Sequence, residues 1–318
     1  MANQSNIRVK RMTSALREAA MIKESEKLTK QPKRLNDKSF ARLLPPRRAN
    51  GNKSTFGKVL VIAGSMNMAG AAILAARGAF AAGCGMVMVL TDECNRTIIQ
   101  NAVPEALLAT YDEEIDEEVV AAALEWAGCV LIGPGISLSD EAKQLMDQVM
   151  SQIENKPIVL DADALNILSE NDNTVKLAGK KAIITPHVGE MSRLVGMPVT
   201  EIQSHMIETA EAFCAHHGVT VVLKDAVSVI SAPRRKTYEN VSGNSGMATA
   251  GSGDVLAGII TGLVAQGAGL FDAAILGSYI HGRAGDFAAA KKSRYCMTAS
   301  DIIANLPEVF LMAEERQV

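Results

Sequence analysis

The segment Asn240–Gln266, NVSGNSGMATAGSGDVLAGIITGLVAQ, begins with small residues and ends in an apolar run. Gly243, Gly246, Gly251 and Gly253 leave its first half free to bend and to approach a ligand closely. From Val255 to Val264 the spacing is helical, with small residues suited to tight packing. A glycine-rich loop feeding a helix N-terminus is an anion site. The first amides have no partner within the helix, and the helix dipole adds about half a positive charge there. Asp254 stands at that junction. A carboxylate in a first turn often serves only as a cap. Here the crowding glycines imply that something anionic and bulky fits beside it. Asp254 therefore reads as a base aimed at a hydroxyl, with the loop amides holding a phosphoryl group.

Upstream, apolar runs alternate with helical patterns. Lys58–Ala63 is a buried-type strand ending in Gly64-Ser65, and an Ala-rich helix follows over Met68–Arg77. Gly83 and Gly85 close that helix before a second strand, Met86–Leu90. The βαβ unit lacks GxGxxG spacing, so it is not read as a dinucleotide fingerprint; Gly70 and Ala71 serve either packing or ligand contact. Cys129–Ile132 is a strand closed by Gly133-Pro134-Gly135, either a tight turn or flexible backbone at the ligand edge of a parallel sheet. Ser139–Ile153 is a helix capped by Ser139 or Asp140.

Pro157–Leu160 runs into Asp161-Ala-Asp163, carboxylates able to hold Mg²⁺ through water or to cap a helix. Lys181–Thr185 leads to Pro186–Glu190. A lone histidine is more often structural, yet the place of His187 after a strand and beside Gly189 and Glu190 favours ligand contact. Val219–Leu223 delivers Lys224, either a solvated lysine or one that neutralises phosphate charge. Ala273–Ala290 is a long apolar helix carrying His281, Gly285 and Asp286, and Thr298–Asp301 caps the final helix. This alternation predicts an α/β fold with a mostly parallel sheet and helices on both faces.

The chain has 318 residues, a net charge of -3 and 48% hydrophobic residues, enough for one large domain. Its near-neutral charge argues against nucleic acid as the main partner. Five cysteines lie scattered without metal spacing, as expected of buried thiols in a reducing cytoplasm. No apolar stretch is long enough to span a membrane and no secretory h-region is evident. Residues 1–34 are polar and basic; they read as a solvated, flexible or partly helical extension rather than a membrane arm, nucleic-acid arm or presequence. The folded domain is expected over residues 35–318.

The ordered set GKVLVIAGS, AGAAILAARGAFAAGCG, GPGI, VLDADALN, TPHVGE, VVLKD and NSGMATAGSGDVLAG resembles the NAD(P)H-hydrate dehydratases. Val188 replaces the second proline of that family's TPHPGE, a change of loop stiffness and not of a reacting group. The resemblance implies a ribokinase-like three-layer α/β/α sandwich and a stand-alone dehydratase without an epimerase domain. It further implies repair of hydrated NADH or NADPH. A nucleotide, ADP or possibly ATP, would phosphorylate the ring hydroxyl, and phosphate would then leave. Asp254 would take the proton, and Ala250, Gly251, Ser252 and Gly253 would form the anion hole. By the same pattern Gly70, Ala71, Gly135 and His187 would touch the hydrated cofactor. Lys224, Asp225, Ala226, Val227, Ser228 and Gly253 would line the nucleotide site, with Glu190 linked to Mg²⁺. A cytoplasmic homotetramer is implied as well. The rivals are a ribokinase-like kinase for a vitamin-precursor alcohol, whose product keeps the phosphate, and a nucleotide-binding regulator without turnover. Related pyrimidine kinases carry Asn where His187 stands here, and a regulator would be expected to lose Asp254 or its glycines.

Overall fold

The computed structural model describes residues 31–112, 115–170, 174, 177, 179 and 181–315. Helix α1 (Asp37–Leu43) precedes β1 (Lys58–Ile62), α2 (Ala69–Ala81) and β2 (Met86–Asp92). Then α3 (Arg96–Ala102) leads to β3 (Leu107–Tyr111), α4 (Glu117–Trp126) to β4 (Cys129–Ile132), and α5 (Asp140–Gln152) to β5 (Ile158–Leu160). Next, α6 (Asp163–Ser169) leads to β6 (Ala182–Ile184), and α7 (Val188–Val195), α8 (Val199–Ser204) and α9 (Met206–His217) to β7 (Thr220–Leu223). A hairpin of β8 (Ser228–Ser231) and β9 (Tyr238–Asn240) follows. Four helices end the described chain: α10 (Ser252–Ala265), α11 (Leu270–Lys292), α12 (Ala299–Ala304) and α13 (Leu306–Glu314).

The strands form one sheet in the order β3-β2-β1-β4-β5-β6-β7-β8-β9. Neighbours from β3 to β7 are parallel, and β8 and β9 continue antiparallel. Strands β4 to β7 are buried along their whole length, as a parallel sheet covered on both faces requires. Alternate side chains enter opposite cores. Val59, Val61, Leu131, Val159 and Ile183 pack with α2, α10 and α11. Leu60, Ile62, Ile132, Leu160 and Ile184 pack with the α4–α7 and α9 layer. Three layers result.

Three features depart from the sequence expectation. Strand β3 is a half-exposed edge, so its burial signal is weak. The hairpin β8–β9 was not foreseen: its strands are only four and three residues long. The helix capped by Thr298 and Asp301 is not the last, because α13 follows after Asn305. Of the proposed N-terminal extension, residues 1–30 lie outside the described residues. Lys33 pairs with β9: its amide donates to the Thr237 carbonyl at 3.0 Å, and its carbonyl accepts from the Glu239 amide at 2.8 Å.

Helix α10 is buried almost all round, from Val255 to Val264. Its closeness to α2 depends on absent side chains. A Cβ on Gly258 would stand 2.1 Å from the Ala75 carbonyl oxygen, and one on Gly78 would stand 2.7 Å from that of Val255. The two helices therefore touch backbone to backbone, which fixes the first turn of α10 against the middle of α2.

Candidate active site

The carboxyl ends of the parallel strands define one edge of the sheet. Chain order reverses between β1 and β4, the switch point at which open α/β sheets bind ligands. There the Gly64 amide donates to the Pro134 carbonyl at 2.9 Å, and the Ser65 amide to that of Gly135 at 2.7 Å. Gly135 has φ +62°, and a Cβ on it would lie 3.0 Å from those of Ala71 and Met68. A Cβ on Gly70 would meet nothing within 4 Å. Packing thus accounts for Ala71 and Gly135 facing each other, but not for Gly70.

Beyond β5 the chain turns through Ala162 at φ +50°, a left-handed conformation that is costly outside glycine. The turn separates the carboxylates on either side of it. Asp163 accepts from the Ser137 amide at 2.9 Å and so ties α6 to the loop after β4. Asp161 is buried and accepts from Lys224 Nζ at 2.8 Å. Burial alone would discharge Lys224. The facing Asp161 and Glu190, the hydrogen bond to Asp161 and the charge of Asp254 outweigh it and raise the pKa.

Helix α10 points its N-terminus at this pair. A Cβ on Gly253 would lie 3.4 Å from Lys224 Nζ and 3.7 Å from Asp161 Oδ2. The N-cap is Gly251 at φ +83°, which supplies no side-chain hydrogen bond. The Ser252 amide donates to the Thr249 carbonyl at 3.3 Å, and the N-cap offers no side chain to the other first-turn amides. Asp254, at the third helical position, is not itself the N-cap. Burial first, then repulsion from Asp161, Asp163 and Glu190 against attraction from Lys224, pushes its pKa up to about 7. A carboxyl poised there is a general base suited to neutral pH.

His187 is the N-cap of α7. Its Nδ1 accepts from the Gly189 amide at 2.9 Å and the Glu190 amide at 3.4 Å, and Glu190 Oε2 accepts from the His187 amide at 2.8 Å. This reciprocal pair is a capping box in which histidine replaces the usual hydroxyl residue. Burial and the positive Lys224 and Arg193 lower the pKa of His187, and Nδ1 is occupied as an acceptor. The proton of the neutral ring therefore sits on Nε2. The side chain is 51% exposed, and Nε2 lies 3.5 Å from Glu190 Oε1, so that N–H sits between the Glu190 carboxylate and the open side of the site. Lys224 and His187 are adjacent, since the Lys224 amide donates to the Pro186 carbonyl at 2.8 Å. Glu190 is buried, which raises its pKa, and one of its oxygens is held by the cap.

The structure brings together Asp254, Gly253, Lys224, Glu190 and His187. Asp225, Ala226 and Val227 form the exposed bend between β7 and β8, and Asp225 Oδ2 accepts from Gln203 at 3.3 Å. The Asp161–Lys224 ion pair has no local signal in the sequence, because its members lie just past the ends of strands β5 and β7, 63 residues apart. No group of three or more His, Cys, Asp or Glu able to hold a metal occurs among the described residues. A protein-only cage is thus missing there. Mg²⁺ carried on nucleotide phosphates needs only one or two carboxylates, and Glu190 beside Lys224 fits that demand.

Sheet order and helix layers are those of the ribokinase-like proteins. A ribokinase-like superfamily protein of Enterococcus faecalis superposes with a TM-score of 0.79 at 27% identity, covering 89% of this chain and 96% of the other. The sequence profile of the NAD(P)H-hydrate dehydratase family matches residues 59–308, and the chain belongs to that family. It is 38% identical over 250 residues to the ADP-dependent (S)-NAD(P)H-hydrate dehydratase of Neisseria meningitidis, covering 78% of this chain and 82% of that protein. The ADP/ATP-dependent NAD(P)H-hydrate dehydratase of Bacillus subtilis, co-crystallised with ATP/Mg²⁺, superposes with a TM-score of 0.77 at 28% identity, covering 89% and 99% of the two chains. Against the bifunctional NAD(P)H-hydrate repair enzyme of Moorella thermoacetica identity is 37% over 279 residues, 86% of this chain and 52% of the enzyme. The chain thus spans about half the length of the bifunctional relatives it matches.

Proposed function

We propose that this protein restores hydrated NADH and NADPH to the reduced dinucleotides, using ADP, or ATP in its place, as phosphoryl donor. The reading rests on one observation above all: a carboxyl with its pKa near 7, Asp254, set in the first turn of a helix whose second residue, Gly253, lies against Lys224. Hydroxide is a poor leaving group, and phosphate is a good one. The ring hydroxyl of the (6S) hydrate gives its proton to Asp254, and its oxygen bonds to the β-phosphorus of ADP as the bond to AMP breaks. Charge on the transferring group is met by the amides of Ala250, Gly251, Ser252 and Gly253 and by Lys224. The ring nitrogen then expels phosphate, and loss of a ring proton restores the double bond. The net products are NADH or NADPH, AMP and phosphate.

Gly70, Ala71, Gly135 and His187 border the hydrated ring, with the His187 Nε2–H as the specific donor. Lys224 to Ser228 and Gly253 hold the nucleotide. Mg²⁺ would enter on the phosphates, with Glu190 facing it, and would offset phosphate charge. Five free cysteines suit a reducing cytoplasm, where we place the protein. We propose a homotetramer, which sedimentation would test.

The decisive assay mixes the protein with NADH hydrate, Mg²⁺ and either nucleotide and follows the absorbance of reduced nicotinamide. Recovery is expected with one AMP released per NADH when ADP is the donor, and one ADP when ATP is. An unchanged hydrate would refute the reading, and a stable phosphorylated product would make the protein a kinase.

A further inference from the structure

His281 takes no part in the chemistry above, yet it is a buried, ionisable side chain on the core-facing side of α11. Its Nε2 lies 3.3 Å from Oγ of Ser252, the first residue of α10 and itself buried. Burial, helped by the positive Lys224 and opposed by a hydrogen bond to the Ser252 backbone, lowers its pKa to about 4. The ring is therefore neutral at physiological pH and carries one N–H. A phosphoryl oxygen only accepts, so for the Ser252 hydroxyl to serve it, the 3.3 Å contact must run from the ring nitrogen to Oγ.

We propose that His281 is a positioning residue: it donates its Nε2–H to Ser252 Oγ, so that the hydroxyl hydrogen of Ser252 is directed at the phosphoryl group at the N-terminus of α10. In the opposite tautomer the hydroxyl would donate to the ring and present lone pairs to the phosphate. The buried histidine thus fixes the sense of a hydrogen bond in the anion hole. This inference rests on the phosphoryl-transfer reading, in which the β-phosphate of ADP occupies that hole and AMP leaves it unfilled.

Calorimetric titration of ADP and AMP into the wild type, Ser252→Ala, His281→Leu, the double variant and His281→Gln separates the possibilities. Loss of one hydrogen bond to a charged group is expected to weaken ADP about tenfold in either single variant. The double variant should be no weaker than Ser252→Ala, AMP should bind all five proteins alike, and the glutamine amide should restore ADP affinity. Equal losses for ADP and AMP, additive losses in the double variant, or no rescue by glutamine would reduce His281 to a packing residue. Should His281→Leu not fold, nitrogen-15 spectra of the wild type decide: a proton on Nε2 is expected, and one on Nδ1 overturns the proposal. Failure of the wild type to regenerate NADH would sink the proposed function while leaving the ADP and AMP comparison readable.

Discussion

Neutralising Asp254 is expected to act in opposite directions on turnover and on stability. With a folded pKa of about 7 against an ordinary aspartate value near 4, the folded protein keeps a proton that the unfolded chain has released. The stability contributed by this group is complete below about pH 4, declines as the pH rises through about 7, and stays lost above. Asp254→Asn should thus gain on the order of 1–3 kcal/mol relative to wild type at pH 8 and little at pH 4, read from denaturant unfolding at both. Its turnover should fall about 10²- to 10⁴-fold, and wild-type kcat/KM should climb to a plateau above about pH 7. An equal stability difference at both pH values would contradict the raised pKa. His187→Asn separates cap from contact. Asparagine still caps α7, so stability should change by less than about 0.5 kcal/mol, whereas His187→Ala should cost about 1 kcal/mol. Both lose Nε2–H, and both should raise KM for the hydrated cofactor more than for ADP; the reverse would move His187 to the nucleotide side. Asp254, Lys224 and His187 could be singled out because each follows a glycine loop or a strand end. The capping role of His187 and the Asp161–Lys224 pair were hidden, since sheet register and local backbone turns set them.

Among elements, α2 and α10 hold the two halves of the site together. Gly258 lies where a methyl would press on the Ala75 carbonyl at 2.1 Å, a main-chain atom that cannot swing aside. Gly258→Ala should therefore destabilise by about 1–3 kcal/mol or more, despite alanine's better helix propensity. Because it displaces the helix bearing Asp254, it should also lower kcat/KM at temperatures where the protein remains folded. Gly70→Ala is the matched contrast: its methyl meets open space, so stability should hold or rise by up to about 1 kcal/mol. Any KM change there reports on ligand contact. Thermal melts beside kinetics distinguish the pair, and equal destabilisation by both would remove the close-packing argument. Strands β1, β2 and β4 to β7 were legible because both faces are covered, which writes continuous apolar runs into the chain. Strand β3 was not, being a half-exposed edge, nor was the β8–β9 hairpin, whose short strands leave too little pattern to read.

Across the molecule the parallel strands β1 to β7 carry the site, and β8 and β9 extend the sheet beyond it on one side. An unpaired outer strand invites pairing with another chain. Here Lys33 pairs with β9 through a 3.0 Å bond to Thr237 and a 2.8 Å bond from Glu239, and Arg34 meets the Glu239 carboxylate at 2.8 Å. A chain beginning at residue 31 keeps these contacts, and one beginning at residue 36 loses them. The main-chain bonds and a partly exposed ion pair together suggest a loss of about 1–2 kcal/mol, with the ion pair contributing least. The shorter chain should unfold at a lower temperature and associate more readily on concentration through the uncovered strand. Its turnover should match that of the longer chain, since neither Asp254 nor the loops after β1, β4, β5, β6 and β7 are touched. Differential scanning calorimetry, sedimentation and the absorbance assay on both chains give the test. Coincident melts would show that the edge contact is energetically neutral, and a selective loss of turnover would mean that the β9 edge supports the site.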